Sequence, residues 1–128
     1  MDIPWQVLHP ADKDREYLAL LSFLPLGRYS KVPLFMRFSM EIHRQLKATA
    51  GVIGYSLRAK LLSRRFWTLS VWENSAALMD FVATAPHSEG LKAMAPFMGK
   101  TRFTQWKVLG SNVPLKWDEA IGRMAQGS

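Results

Sequence analysis

The 128-residue chain contains no cysteine, which excludes a disulfide framework, a thiolate metal site and a cysteine nucleophile. Histidine is scarce: His9, His43 and His87 are far apart, with no spacing that would assemble a metal triad. Long apolar runs are also missing. The best, Tyr17 to Leu26, has the length of a strand and falls well short of the roughly 18 residues that span a bilayer, so no membrane partner is expected. The opening Met1-Asp2-Ile3-Pro4 has neither the basic nor the apolar region of a secretory signal, and a cytoplasmic location is expected. No carboxylate pair suited to acid/base work, no GxSxG and no Gly-rich phosphate loop occurs. Glycosidase, serine-hydrolase, kinase and dinucleotide-dependent chemistry therefore have no support.

Acidic residues are outnumbered, 10 against 17 basic, for a net charge of +7, while 48% of positions are hydrophobic. A chain of this length and composition makes one basic domain with a core of its own. The basic residues are scattered along the sequence, with Arg64-Arg65 and Lys100/Arg102 as the only tight groups, so nucleic acid is not an expected partner. Residues 1–15, with Pro4, Pro10 and a charged run at 12–15, read as an extended arm; residues 16–125 form the domain, and 126–128 a frayed tail.

The continuous apolar run Tyr17 to Leu24, closed by Pro25 and Gly27, reads as a first strand. Ser30 is the expected cap of a helix with Pro33 in its first turn and Gly51 as its stop. Leu34, Phe35, Phe38, Ile42 and Leu46 share about 120° of its surface. Val52 to Leu62 and Arg65 to Glu73 read as a hairpin turning near Ser63-Arg64. On the second of these strands Trp67, Leu69 and Val71 point one way, and Phe66, Thr68, Ser70 and Trp72 the other. Asn74 or Ser75 caps a further helix with Leu78, Phe81, Val82 and Ala85 on one stripe, ended by Pro86.

Next comes a short helix in which His87, Leu91, Met94 and Met98 lie within about 60° of arc, so that His87 faces inward; Pro96 bends the segment before Met98. Thr101 to Leu109 is a fourth strand, with Phe103 and Trp106 on opposite faces, followed by a turn at 110–112. A last helix, Pro114 to Met124, is anchored by Trp117 and Ile121. The order strand, helix, strand, strand, helix, strand is that of a split βαβ ferredoxin-like α+β sheet with helices on one face. The other face is apolar and needs a cover, most economically a second copy packed sheet to sheet in a homodimer. The alternative cover is the chain's own tail helix and N-terminal arm.

The stretch Leu69-Ser70-Val71-Trp72-Glu73-Asn74-Ser75-Ala76-Ala77-Leu78, with His87 fifteen residues after Trp72, resembles the strand-tryptophan, helix, histidine signature of the dimeric α/β-barrel superfamily. Within it the chain is most similar to the DUF3291 domain and to spheroidene-monooxygenase-like proteins, beside the antibiotic-biosynthesis-monooxygenase group. The similarity continues through Gln105-Trp106-Lys107-Val108 to Glu119-Ala120-Ile121-Gly122-Arg123-Met124. The resemblance implies a ferredoxin-like dimer with an apolar pocket between sheet and helices. It does not fix a reaction, since relatives include cofactor-free and haem-dependent monooxygenases, haem-degrading enzymes, chlorite dismutases and simple binders. The haem-degrading pattern departs from this chain: its helix tryptophan falls on Phe81, its iron-ligating histidine on Leu91, and its strand-one asparagine has no counterpart.

His87 is the leading candidate for chemistry, as a base toward a phenolic substrate or an axial haem ligand; the plainer alternative is a helix-start histidine bonded locally. Trp67, Trp72 and Trp106 are candidates to stack on a flat apolar or aromatic ligand, with Phe35, Phe38 and Leu91 closing the pocket; the plainer alternative is core. Trp72 has a second structural reading, as the anchor of the helix that follows. His43 stands at the edge of its helix's apolar arc. Tyr55 and Arg58 point to opposite sheet faces, and Arg58 or Lys60 would suit a haem propionate. Three functions follow: cofactor-free oxygenation of an aromatic compound with His87 as base, a haem protein with His87 on iron, and a non-catalytic binding or assembly module.

Overall fold

The computed structural model describes residues 2–84 and 87–126. The apolar and alternating segments fold into one antiparallel sheet. Its strands are β1 (Asp2–Val7), β2 (Glu16–Pro25), β3 (Val52–Lys60), β4 (Arg65–Trp72) and β5 (Arg102–Leu109), in the spatial order β1-β3-β4-β2-β5. The helices are α1 (Val32–Lys47), α2 (Ser75–Ala83), α3 (His87–Met94) and α4 (Trp117–Ala125). Without β1, the order β3-β4-β2-β5 is the ferredoxin-like one that the element sequence predicts. Ala85, Pro86 and the end of the tail at 127–128, which entered that reading, lie outside the described residues.

Four local expectations need correction. Half of the supposed arm is the edge strand β1, paired with β3 from Asp2 opposite Arg58 to Val7 opposite Gly54. An edge strand tolerates Pro4, whose missing N–H is not needed by a second neighbour. Ser30 does not cap α1: it sits in a short 3-10 turn at Tyr29–Lys31, and the cap position Lys31 makes no side-chain bond. Gly51 does not end α1, which closes at Lys47. Instead a Cβ at Gly51 would collide with the Ala77 side chain, so its role is to let α2 approach. The tail helix begins at Trp117 and not at Pro114, and buries Ala120 and Met124, with Trp117 and Ile121 only half-buried.

Other signals act as their chemistry requires. Asn74 accepts a hydrogen bond from the Ala77 N–H at 2.9 Å and starts α2. β3 and β4 form the hairpin in register from Lys60 opposite Arg65, with a 3-10 turn at Leu61–Ser63 and Arg64 in the left-handed region (φ 56°). Arg64 is held there by its Nε donating to the Leu26 carbonyl at 2.9 Å.

Alternation along β2 and β4 divides the core in two. Leu18, Leu20, Leu24, Phe66 and Trp72 face α1–α3, packing with Phe35, Leu46, Leu78, Phe81 and Met94. Ala19, Leu21, Leu69 and Val71 face the other way, against Trp5, Trp106, Ala120 and Met124. The face that the sequence assigned to a second copy is thus roofed by α4 of the same chain. The reason is local: α4 presents the small, fully buried Ala120 between Leu21 and Leu69, so the helix sits close to the sheet.

Candidate functional site

The predicted site residues divide between these two faces and do not share one pocket. His87, His43, Trp72, Phe35 and Phe38 lie on the side of α1–α3; Trp67, Trp106 and Arg58 lie on the side of α4. β-strand parity enforces the split, because Trp67 and Trp72 on one strand, and Tyr55 and Arg58 on another, are odd numbers of residues apart. Leu91 does not line a pocket either, being 52% exposed on the outer face of α3.

Phe35 stacks on Phe66 with centroids 4.3 Å apart. Phe38 occupies the α1–α3 contact, where a Cβ on Gly90 would lie 3.2 Å from its ring. Both fill the layer between sheet and helices. Across the sheet, Trp67 packs on Phe23 at 5.2 Å, and the Arg123 guanidinium lies over Trp106 at 5.2 Å. The indole Nε1 of Trp106 is buried without a hydrogen-bond partner among the described residues. Arg58 pairs with Asp2 at 3.9 Å and lies over Trp117 at 4.7 Å, so it is already engaged.

Around His87 the chain builds an aromatic row. Trp72, buried at the end of β4 with its Nε1 donating to the Ser70 hydroxyl at 2.8 Å, packs on Phe81 of α2 at 5.1 Å. Phe81 in turn meets the His87 imidazole at 5.1 Å. Beside it, the fully buried phenol of Tyr55 is hydrogen-bonded to Nε2 of His43, and the two rings meet edge to face at 4.7 Å. Burial raises the Tyr55 pKa, so its oxygen keeps its proton at neutral pH.

Both imidazoles are neutral there too. Burial lowers the His43 pKa, with Lys47 one helical turn away adding to the effect. Burial also lowers that of His87, against a smaller upward pull from the Val82 carbonyl. The Val82 oxygen, 3.3 Å from Nδ1, can only accept, so this contact places the proton of the neutral ring on Nδ1. Nε2 then carries the lone pair, the state required of a base or a metal ligand.

Sequence reading missed the residue that ties down the start of α3, where His87 stands. Gln45, in the last turn of α1, donates through Nε2 to the carbonyls of Phe81 (3.1 Å) and Thr84 (3.2 Å). Its Oε1 accepts from the His87 backbone N–H at 2.9 Å. One side chain thereby ties α1 to both sides of the α2–α3 junction. No sequence signal marks it, since a glutamine on a polar helix face usually meets only water.

A cleft of about 190 Å³ lies on the other side of the molecule, lined by residues including Trp5, His9, Lys13, Ile53, Ser111 and Val113. It contains none of the predicted site residues. Among the described residues no group of three or more His, Cys, Asp or Glu could hold a metal ion. A haem does not fit the expected pair of contacts: His87 lies on the side of α1–α3 with its ring against Phe81, whereas Arg58 and Lys60 lie on the α4 side, Lys60 with its ammonium 5.7 Å from the Trp67 ring.

No family model matches the chain, and no curated protein matches it in sequence. Solved structures do match in fold. An antibiotic biosynthesis monooxygenase superposes with a TM-score of 0.65 at 12% identity, over 72% of this chain and 98% of that one. A Caulobacter crescentus CB15 protein assigned to the same group gives 0.65 at 19% identity, over 74% and 92%. A Lactobacillus acidophilus NCFM protein assigned as a monooxygenase gives 0.64 at 10% identity, over 80% of this chain but only 50% of its own length, so this chain spans half of that protein. The shared property is the ferredoxin-like fold.

Proposed function

We propose that this protein is a small, cofactor-independent monooxygenase acting on a bulky aromatic compound that carries an ionisable hydroxyl or enol. The observation that carries the reading is His87: a half-buried, neutral imidazole whose Nδ1 faces the Val82 carbonyl, whose Nε2 has no hydrogen-bond partner among the described residues, and whose ring packs on Phe81. Kinship of fold with proteins assigned as antibiotic biosynthesis monooxygenases adds to it. His87 Nε2 takes the substrate's hydroxyl or enol proton, and the resulting anion is electron-rich enough to react with oxygen directly. One oxygen atom stays on the substrate and the other leaves as water, the substrate supplying both electrons. The aromatic row would exclude water from the anion.

The test is oxygen uptake with anthrone-type polycyclic phenols, comparing the protein with His87→Gln. Uptake that depends on the enzyme and falls at least about a hundredfold in the variant supports a general base; equal rates in the two proteins refute it. A haemin titration run beside it should give no Soret band that His87→Ala abolishes.

A second reading, a non-catalytic binding module, is favoured by a specific observation. The layer between sheet and helices is filled by Tyr55, Trp72 and Phe81, while the 190 Å³ cleft lies on the opposite side. Saturable binding of an apolar compound with no turnover, unaffected by His87→Gln, would select it.

A further inference from the structure

The basic residues that are scattered in sequence are brought to one end of the sheet. Backbone bonds assemble that end: Leu26 N–H to the Arg64 carbonyl (2.8 Å), Gly27 N–H to Phe97 (2.7 Å) and Gly99 N–H to Pro25 (2.8 Å). Lys60 stands opposite Arg65 in the hairpin, Arg102 opposite Phe23. The two tight pairs, Arg64-Arg65 and Lys100/Arg102, therefore share one end with Arg28, Lys31 and Lys60. None of these seven is in an ion pair with a carboxylate among the described residues, whereas Arg37, Arg58, Lys107 and Arg123 are. The segments that converge here, 17–40, 42–72 and 90–117, contain no Asp or Glu at all. Asp2, which the register brings opposite Arg58, is occupied by that arginine. α1 starts at this end with no acidic residue in its first turn and no side-chain cap, which adds its positive pole.

At this same end the hairpin tip presents apolar side chains to solvent: Leu62 is 90% exposed and Leu61 42%. Tyr29, also exposed, donates its hydroxyl to the Leu62 carbonyl, and the Arg64 guanidinium stacks on its ring at 4.1 Å, so the tip is braced. Water is a poor environment for two adjacent leucines, and nucleic acid would use the cations but leave the leucines in water. An anionic lipid surface uses both: headgroups meet the basic collar while the leucines enter the acyl boundary.

We infer that this end of the molecule docks reversibly on anionic membranes, with Leu61 and Leu62 as the inserted tip and Arg28, Lys60, Arg65, Lys100 and Arg102 as the collar. This is a surface contact, distinct from the spanning segment that the sequence excludes, and it does not depend on the role proposed for His87.

The experiment is sedimentation of the full chain with phosphatidylcholine vesicles, with and without phosphatidylserine. The variants are Leu61→Ser/Leu62→Ser and Arg28→Glu/Lys60→Glu/Arg65→Glu. All these side chains are exposed, and unchanged circular dichroism and melting temperature confirm folding. The wild-type protein should bind only the vesicles containing phosphatidylserine, and less as salt is raised. The charge variant should lose at least about a hundredfold, at about fivefold per cation near such a surface. The leucine variant should lose about tenfold or more. Absence of wild-type binding, equal binding to neutral vesicles, or leucine variants that bind as well as wild type would each overturn the inference. Binding of single-stranded RNA in place of vesicles would do the same, and would assign the patch to nucleic acid.

Discussion

Replacing Gln45 by methionine keeps the length and bulk of the side chain and removes all three of its hydrogen bonds. Each intramolecular hydrogen bond contributes about 1 kcal/mol net. The bond to Thr84 is exposed, and water can replace it. The other two are partly buried, so Gln45→Met should cost about 2 kcal/mol. For a domain of this size each kcal/mol shifts the melting midpoint by about 4 °C, which predicts a fall of about 8 °C. Urea and thermal unfolding followed by tryptophan fluorescence measure both quantities. Because Gln45 also fixes the start of α3, the His87 ring should lose its Val82 partner, and any His87-dependent turnover should fall with substrate affinity little changed. A destabilisation below about 0.5 kcal/mol, within the range of neutral surface changes, would refute the bracing role.

Other consequences follow from packing and titration. Gly110→Ala would drive a Cβ into the Asp12 carbonyl oxygen and should cost about 3 kcal/mol or prevent folding, whereas Gly122→Ala, in open space on α4, should stabilise by about 0.5–1 kcal/mol; chemical denaturation distinguishes the two signs. His43 and His87 both have folded pKa values below their ordinary 6.5, so the stability they contribute is present above pH 6.5 and is lost as pH falls from there through the lowered values. Melting midpoints measured from pH 8 to about pH 4 should show this loss, and His87→Gln should reduce its slope. Ala120→Asp places a charge in the fully buried contact with Leu21 and Leu69 and should dislodge α4. Sedimentation would then detect self-association through the uncovered sheet, and an unchanged monodisperse species with unchanged stability would contradict the roofing role.

How far the sequence could be read follows from which interactions are local. The alternation in 65–73 sent Trp67 and Trp72 to opposite faces, and the structure keeps them there. The hairpin and the Asn74 cap were legible because their chemistry lies within a few residues. β1 was not, although Ile3, Trp5 and Val7 alternate, because Pro4 and Pro10 made the segment read as an arm. The apolar face of the last helix was visible, but an amphipathic helix does not announce which surface it covers, and the bare sheet face was given to a second copy. The candidate site suffered most. His87 and its aromatic neighbours stayed together, while Trp67, Trp106 and Arg58 went to the other face and Leu91 to solvent. Gln45 acts across roughly 40 residues, and the cationic end joins segments from three parts of the chain; neither is encoded in a local pattern.

The proposed base depends on His87 being a neutral imidazole protonated on Nδ1, with the lone pair on Nε2. A ¹⁵N–¹H NMR titration of the histidine rings, assigned with His87→Gln, tests it directly. The expected result is the Nδ1–H tautomer at neutral pH and a midpoint below 6.5. A midpoint above 6.5, or a proton resident on Nε2, would contradict it and remove the base from the proposed site.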